Sequence, residues 1–110
     1  MNYKGNFGRN GEVFAAKYLE DNGYEVLCRN FRCKIGEIDI IAKRDAVISF
    51  VEVKTRGGNF FGFPEAAVDR RKQDRMRKIA EYYLAKNRLE VSDVQFDVIA
   101  IEIEHIKNCI

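Results

Sequence analysis

GEIDIIAKRDAVISFVEVK, Gly36 to Lys54, alternates apolar and polar residues on both sides of a polar break at Asp45-Ala46, a pattern that predicts two β-strands joined by a tight turn. Side chains alternate across a strand, so Glu37, Asp39 and Ile41 share one face of the first, opposite Gly36, Ile38, Ile40 and Ala42. In the second, Ile48, Phe50, Glu52 and Lys54 share a face opposite Val47, Ser49, Val51 and Val53. A turn symmetric about Asp45-Ala46 pairs Arg44 with Val47, and counting back sets Asp39 across from Glu52 and Glu37 across from Lys54, unless a bulge shifts the register. Directly opposed carboxylates repel, so something must offset the cost of Asp39 facing Glu52. An exposed salt bridge at the strand ends is one reading of these charges, but Ile41, Ile48 and Phe50 make the face too apolar for simple solvation.

The rest of the chain arranges itself around this hairpin. Phe14, Ala15, Tyr18 and Leu19 recur at helical spacing from about Gly8 to Asn22, and Asn22-Gly23 ends the pattern as a C-cap. A strand near Tyr24 to Arg29 follows. Beyond Lys54, TRGGNFFGFPE holds three glycines and the chain's one proline, and reads as a loop in which Phe60, Phe61 and Phe63 pack down. A second helix is expected from an Asp69 cap to about Asn87, with Met76, Ile79, Ala80, Tyr83 and Leu84 as its buried stripe. VQFDVIAIEI, Val94 to Ile103, supplies a fourth strand, with room for a short fifth before the last residue. The order implies an α/β fold, a mixed sheet flanked by helices. A right-handed crossover through the second helix makes the last strand parallel to the third.

Composition sets the outer bounds. A chain of 110 residues fits one domain, 1–110, burying about two thirds of its unfolded surface. No apolar run reaches the roughly 20 residues of a membrane span, and MNYKGNFGRNGE lacks the apolar core of a signal peptide, so a cytoplasmic protein is expected. Cys28, Cys33 and Cys109 are odd in number and lack C-x-x-C spacing, which suggests neither a disulfide framework nor a zinc site. His105 has no partner motif and is given no role; Asp97 is read as structural. The net charge of +2 says little about partners, but six of the nine residues in RRKQDRMRK, Arg70 to Lys78, are basic. That cluster is either an anion-facing patch or a solvated helix face.

A divalent cation held by oxygen ligands would relieve the Asp39–Glu52 pair, since Mg²⁺ favours one or two carboxylates completed by water and phosphate. Lys54, on the same face as Glu52, is placed to orient a nucleophilic water. Two readings of Glu12 stand side by side: a carboxylate on the stripe of Ala15, Ala16 and Leu19 facing the sheet, or a first-turn acid complementing the helix dipole. Gln73 lies on the inward stripe of the second helix, as a satisfied buried amide or at the edge of the site.

GxxGE (Gly8 to Glu12), YLxxxGY (Tyr18 to Tyr24), RNFR, GEIDIIA, FVEVKTR and K-x7-A-x2-YL (Lys72 to Leu84) together resemble the YraN-type branch of the PD-(D/E)xK, or restriction-endonuclease-like, superfamily, over nearly the whole chain. Ile38 stands where the superfamily's name has proline. The branch is similar in architecture to archaeal Holliday-junction resolvases. This resemblance implies a core of helix, three antiparallel strands, helix and strand. It also implies Asp39 and Glu52 as ligands of Mg²⁺ or Mn²⁺, the Val53 carbonyl as another, Lys54 serving the attacking water, and Glu12 as an auxiliary acid contacting the metal directly or through water. A metal-dependent deoxyribonuclease or DNA-processing protein that hydrolyses phosphodiester bonds is the leading expectation, with branched DNA as one candidate substrate. In it Arg56, Arg70, Arg71, Lys72 and Arg75 hold the phosphate backbone without reading sequence. A non-catalytic nucleic-acid-binding module of the same fold is the alternative, and a protein-interaction subunit a third reading. Homodimerisation follows by analogy with the resolvases alone.

Overall fold

The computed structural model describes residues 3–57, 69–90 and 93–110, with side chains described from residue 10 to 55 in the first of these stretches. Its elements are α1 (Tyr3–Asp21), β1 (Glu25–Arg32), β2 (Glu37–Arg44), β3 (Val47–Gly57), α2 (Arg70–Lys86) and β4 (Asp93–Ile103). The strands form one sheet in the order β1-β2-β3-β4. The first three are antiparallel neighbours, and β4 runs parallel to β3 from Val47 opposite Asp93 to Gly57 opposite Ile103. The mixed α/β sheet is the one expected from the sequence. Residues 104–110 add no fifth strand. The loop aromatics Phe60, Phe61 and Phe63 lie outside the described residues.

Local chemistry explains where the elements end. α1 stops at Gly23, whose φ of +85° costs a Cβ-bearing residue more; Gly23 N–H donates to the Glu20 carbonyl and Tyr24 N–H to that of Leu19, closing a Schellman turn. The hairpin closes without glycine because Asp45 adopts φ +56°, a left-handed conformation that aspartate tolerates better than most residues. The turn keeps the counted register, with Arg44 opposite Val47. α2 begins as expected at Asp69, whose Oδ1 accepts a 2.9 Å hydrogen bond from Lys72 N–H.

Each face of the sheet has its own core. On one, α2 packs Met76, Ile79, Ala80 and Tyr83 against Ile38, Ile41, Ile48 and Phe50. Tyr83 meets Phe31 and Phe50 edge-on at centroid distances of 5.2 and 6.0 Å, a favoured aromatic geometry. On the other, α1 packs Ala15, Ala16 and Leu19 against Ile40, Ala42 and Val51. Phe14 and Tyr18, expected in the α1 stripe, are instead 62% and 52% exposed, because the α1 surface that meets the sheet is made of small residues. Gly11 sets how close the helix comes: a Cβ there would lie 2.0 Å from Thr55 Cγ2 on β3.

One strand departs from simple alternation. Ile38, expected on the face of Ile40 and Ala42, belongs to the α2-side core with Ile41. Two residues whose side chains should share a face thus go to opposite faces, and the phase of β2 slips at Asp39 between them. The neighbouring strand is irregular at the same level. Between the pairs Arg29–Ile40 and Phe31–Ile38, Asn30 has φ +54°.

Candidate active site at the fork of the hairpin

Backbone pairing of β2 with β3 runs from the turn only as far as Ile40 opposite Val51. Neither Asp39–Glu52 nor Glu37–Lys54 forms the ladder pair that counting predicted, because the phase slip in β2 ends the ladder one residue earlier. Glu37 turns instead to Arg32, with Nε 3.2 Å from its Oε2. The main-chain N–H of Val53, beyond the last pair, donates to Asp39 Oδ2 at 2.8 Å. A side chain thus takes the acceptor role of a strand carbonyl, and it fixes the Asp39 carboxyl at the fork.

Glu52 stands beside it, only 8% exposed, with its carboxyl within hydrogen-bonding reach of Asp39. The Asp39 carboxyl is pushed up from its ordinary 3.8 to about 6. Burial raises it most, the Val53 N–H pulls it back, and the charges of Glu52 and Glu12 raise it further. Two cations answer this density on a single atom. Lys54 Nζ lies 3.3 Å from Glu52 Oε1, and Lys72 Nζ, from the first turn of α2, donates to the same oxygen. Burial disfavours the Lys72 ammonium, but the hydrogen bond and charge of Glu52, aided by Asp39, outweigh it and raise its pKa above the ordinary lysine value.

The structure thus brings Asp39, Glu52 and Lys54 together, with Glu12 half-buried on α1 and close enough for its charge to act on Asp39. Among the described residues, no three His, Cys, Asp or Glu side chains converge into one ligand group. Glu12 therefore acts on Asp39 through space in this conformation. Arg70, Arg71 and Arg75 are exposed on α2, whereas the Arg56 side chain lies outside the described residues. Gln73, expected on the inward stripe, is exposed, because the stripe of Met76, Ile79, Ala80 and Tyr83 turns Lys72, four residues before Met76, to the inward side.

Lys72 was grouped with the phosphate contacts, and its place beside Glu52 was missed. The signal was available. Lys72 precedes the buried Met76, Ile79, Ala80 and Tyr83 by four, seven, eight and eleven residues, so it continues their stripe. A lysine in phase with a core stripe either reaches out to solvent or meets a carboxylate, and here it meets Glu52.

The donor set fits a hard divalent cation. Two carboxylates converge at a fork, one of them costly to ionise without a cation nearby, and carboxylate oxygens are the ligands such ions prefer. A second concavity, of about 610 Å³, is lined by Tyr18, Asn22, Tyr24, Arg44, Phe96 and Asp97 among others. There the Arg44 guanidinium lies over the Tyr24 ring at 4.6 Å and donates to the Asn22 carbonyl. It contains none of the four acids and lysines of the fork.

The profile described as Uncharacterised protein family UPF0102 matches residues 11–101. A UPF0102 protein of Persephonella marina is 43% identical over 104 residues, covering 92% of this chain and 90% of the relative. One of Moorella thermoacetica is 47% identical over 94 residues, covering 86% and 78%. One of Caldicellulosiruptor bescii is 47% identical over 109 residues, covering 98% and 91%.

Proposed function

The chain belongs to the UPF0102 family, and from that premise together with the fork of the hairpin we propose that it is a metal-dependent nuclease hydrolysing phosphodiester bonds of DNA. The observation that carries the proposal is the placing of the Asp39 and Glu52 carboxyls against each other, with Lys54 3.3 Å from Glu52 Oε1. Asp39 and Glu52 would hold Mg²⁺ or Mn²⁺, with the Val53 carbonyl alongside and Glu12 reaching the ion through water. The ion, when bound, supplies Lewis acidity toward a phosphoryl oxygen and an acidified water. Asp39 must be ionised to act, and its hydrogen bond from Val53 N–H holds the carboxyl in place as it loses its proton. Lys54 orients the attacking water and offsets the charge that grows on the phosphate, an electrostatic role suited to a group already fixed against Glu52.

Arg70, Arg71 and Arg75 are exposed on α2, whose first turn reaches the fork through Lys72. They would hold the phosphate backbone together with Arg56. Contacts of that kind carry no sequence information, so a substrate chosen by shape, such as branched DNA, is the class proposed. A second copy of the chain would serve a branched substrate with two sites, and light scattering in solution measures that state. The reading is tested by incubating linear, flapped and four-way DNA with the protein in Mg²⁺, in Mn²⁺ and in chelator. Metal-dependent cleavage lost in folded D39N and E52Q supports it. DNA binding indifferent to both substitutions, with every substrate left intact, favours a non-catalytic nucleic-acid-binding module instead.

A further inference from the structure

Glu52 Oε1 carries two ammonium groups at once, Lys54 from its own strand and Lys72 from α2. They are not equivalent. Lys54 is two residues along β3 from Glu52, so its stem leaves the strand beside the carboxylate whatever else is bound. Lys72 reaches in from another element, makes the closer contact with Glu52, and lies near enough to Asp39 to feel its charge. A cation seated on Glu52, within range of the Asp39 charge, stands beside the oxygen that a hard metal ion would take.

We propose that Lys72 is an internal counter-ion that occupies the metal position of the ion-free site, and that it is displaced from Glu52 when the metal enters, becoming free to hold the phosphate of the substrate. This inference rests on the reading of Asp39 and Glu52 as metal ligands. The charges favour the exchange. At formal charge, the carboxylates of Asp39, Glu52 and nearby Glu12 against the ammonium groups of Lys54 and Lys72 leave one negative charge, and a divalent ion added without displacement turns this into one surplus positive charge in a partly buried site. An incoming phosphodiester brings one negative charge, which the released ammonium can meet as a point-charge partner. No bond is made or broken in the exchange. Lys72 is the residue able to move, since it reaches Glu52 across the gap between α2 and the sheet, whereas Lys54 leaves the same strand two residues from Glu52.

The test measures Mn²⁺ binding by titration calorimetry for the wild type, K72M and K72Q. Amine-reactive acetylation of individual lysines in the wild type, read by mass spectrometry with and without Mn²⁺, accompanies it. Displacement predicts a Kd for Mn²⁺ about tenfold lower in K72M and K72Q, since no resident cation has to leave. It also predicts faster acetylation of Lys72 when Mn²⁺ is bound, with Lys54 as the internal reference, a readout that needs no variant to fold. A wild type that binds Mn²⁺ while both variants bind it equally or more weakly, with Lys72 acetylation unchanged, overturns the inference and leaves the metal site standing. Absence of Mn²⁺ binding to the wild type and to both variants at millimolar concentration overturns the metal-site reading itself, and this inference with it.

Discussion

Replacing Asp39 by Asn should make the metal-free protein more stable at pH 8 and leave it nearly unchanged at pH 4. The sign follows from linkage. The folded-state pKa of Asp39 is raised from 3.8 to about 6, so between those values the native state binds more protons than the unfolded chain, and stability contributed by this group falls as pH rises through that window. Above about pH 6 the loss is complete and constant. At ~1.4 kcal/mol per pKa unit the ceiling is about 3 kcal/mol. Because Asp39 is only half-buried, solvent screening reduces this to about 1–2 kcal/mol. Asparagine keeps an oxygen for the Val53 N–H and offers an amide donor to Glu52, so the local geometry survives the change. The assay is urea unfolding of wild type and D39N in chelator from pH 4 to 8, taking the difference at each pH so that groups common to both cancel. A D39N that is less stable than the wild type by the same amount across the range would refute the reasoning, because Asp39 would then be an ordinary stabilising acid. The same titration gives the wild type a metal affinity that weakens as pH falls through about 6, as protons compete for Asp39.

Other expectations follow from the packing. Gly11→Ala should cost about 1–3 kcal/mol by driving α1 off Thr55, and T55A should restore most of it, which a double-mutant cycle of thermal unfolding measures. Ile79→Ala, fully buried under the sheet, should cost about 2–5 kcal/mol in chemical denaturation. Asp69→Ala should lower stability by about 1 kcal/mol through loss of the α2 cap and loosen the first turn that carries Lys72, seen as faster amide exchange at Lys72.

The hairpin was legible because two constraints agreed: two runs rich in strand-forming Ile, Val and Phe, and a break at Lys43-Arg44-Asp45 between them. Arg44 pairs with Val47 as counted. What counting could not see was the phase slip at Asp39, where Ile38 leaves the face of Ile40. A period-two pattern has no term for a strand that changes face, and the apolar residues on both sides of Asp39 satisfy either core. The Asp69 cap was legible from chemistry that acts within four residues. The phase of α2 follows from its buried stripe, Met76, Ile79, Ala80 and Tyr83, which places Lys72 inward and Gln73 outward, an assignment that basic-patch counting obscured by treating Arg70 to Arg75 as one group. Burial of α1 was misjudged for a related reason. Phe14 and Tyr18 have the apolar character of core residues, but Gly11, Ala15 and Ala16 allow a close approach to the sheet that large rings would prevent.

Single-turnover cleavage of a four-way DNA junction in heavy-oxygen water tests the central claim most directly. Metal-dependent hydrolysis at the fork gives Mn²⁺-dependent products from the wild type, with one heavy oxygen in each new terminal phosphate, and no product from D39N or in chelator. Junction, flap and duplex all left intact by folded wild type that has bound Mn²⁺ would contradict it.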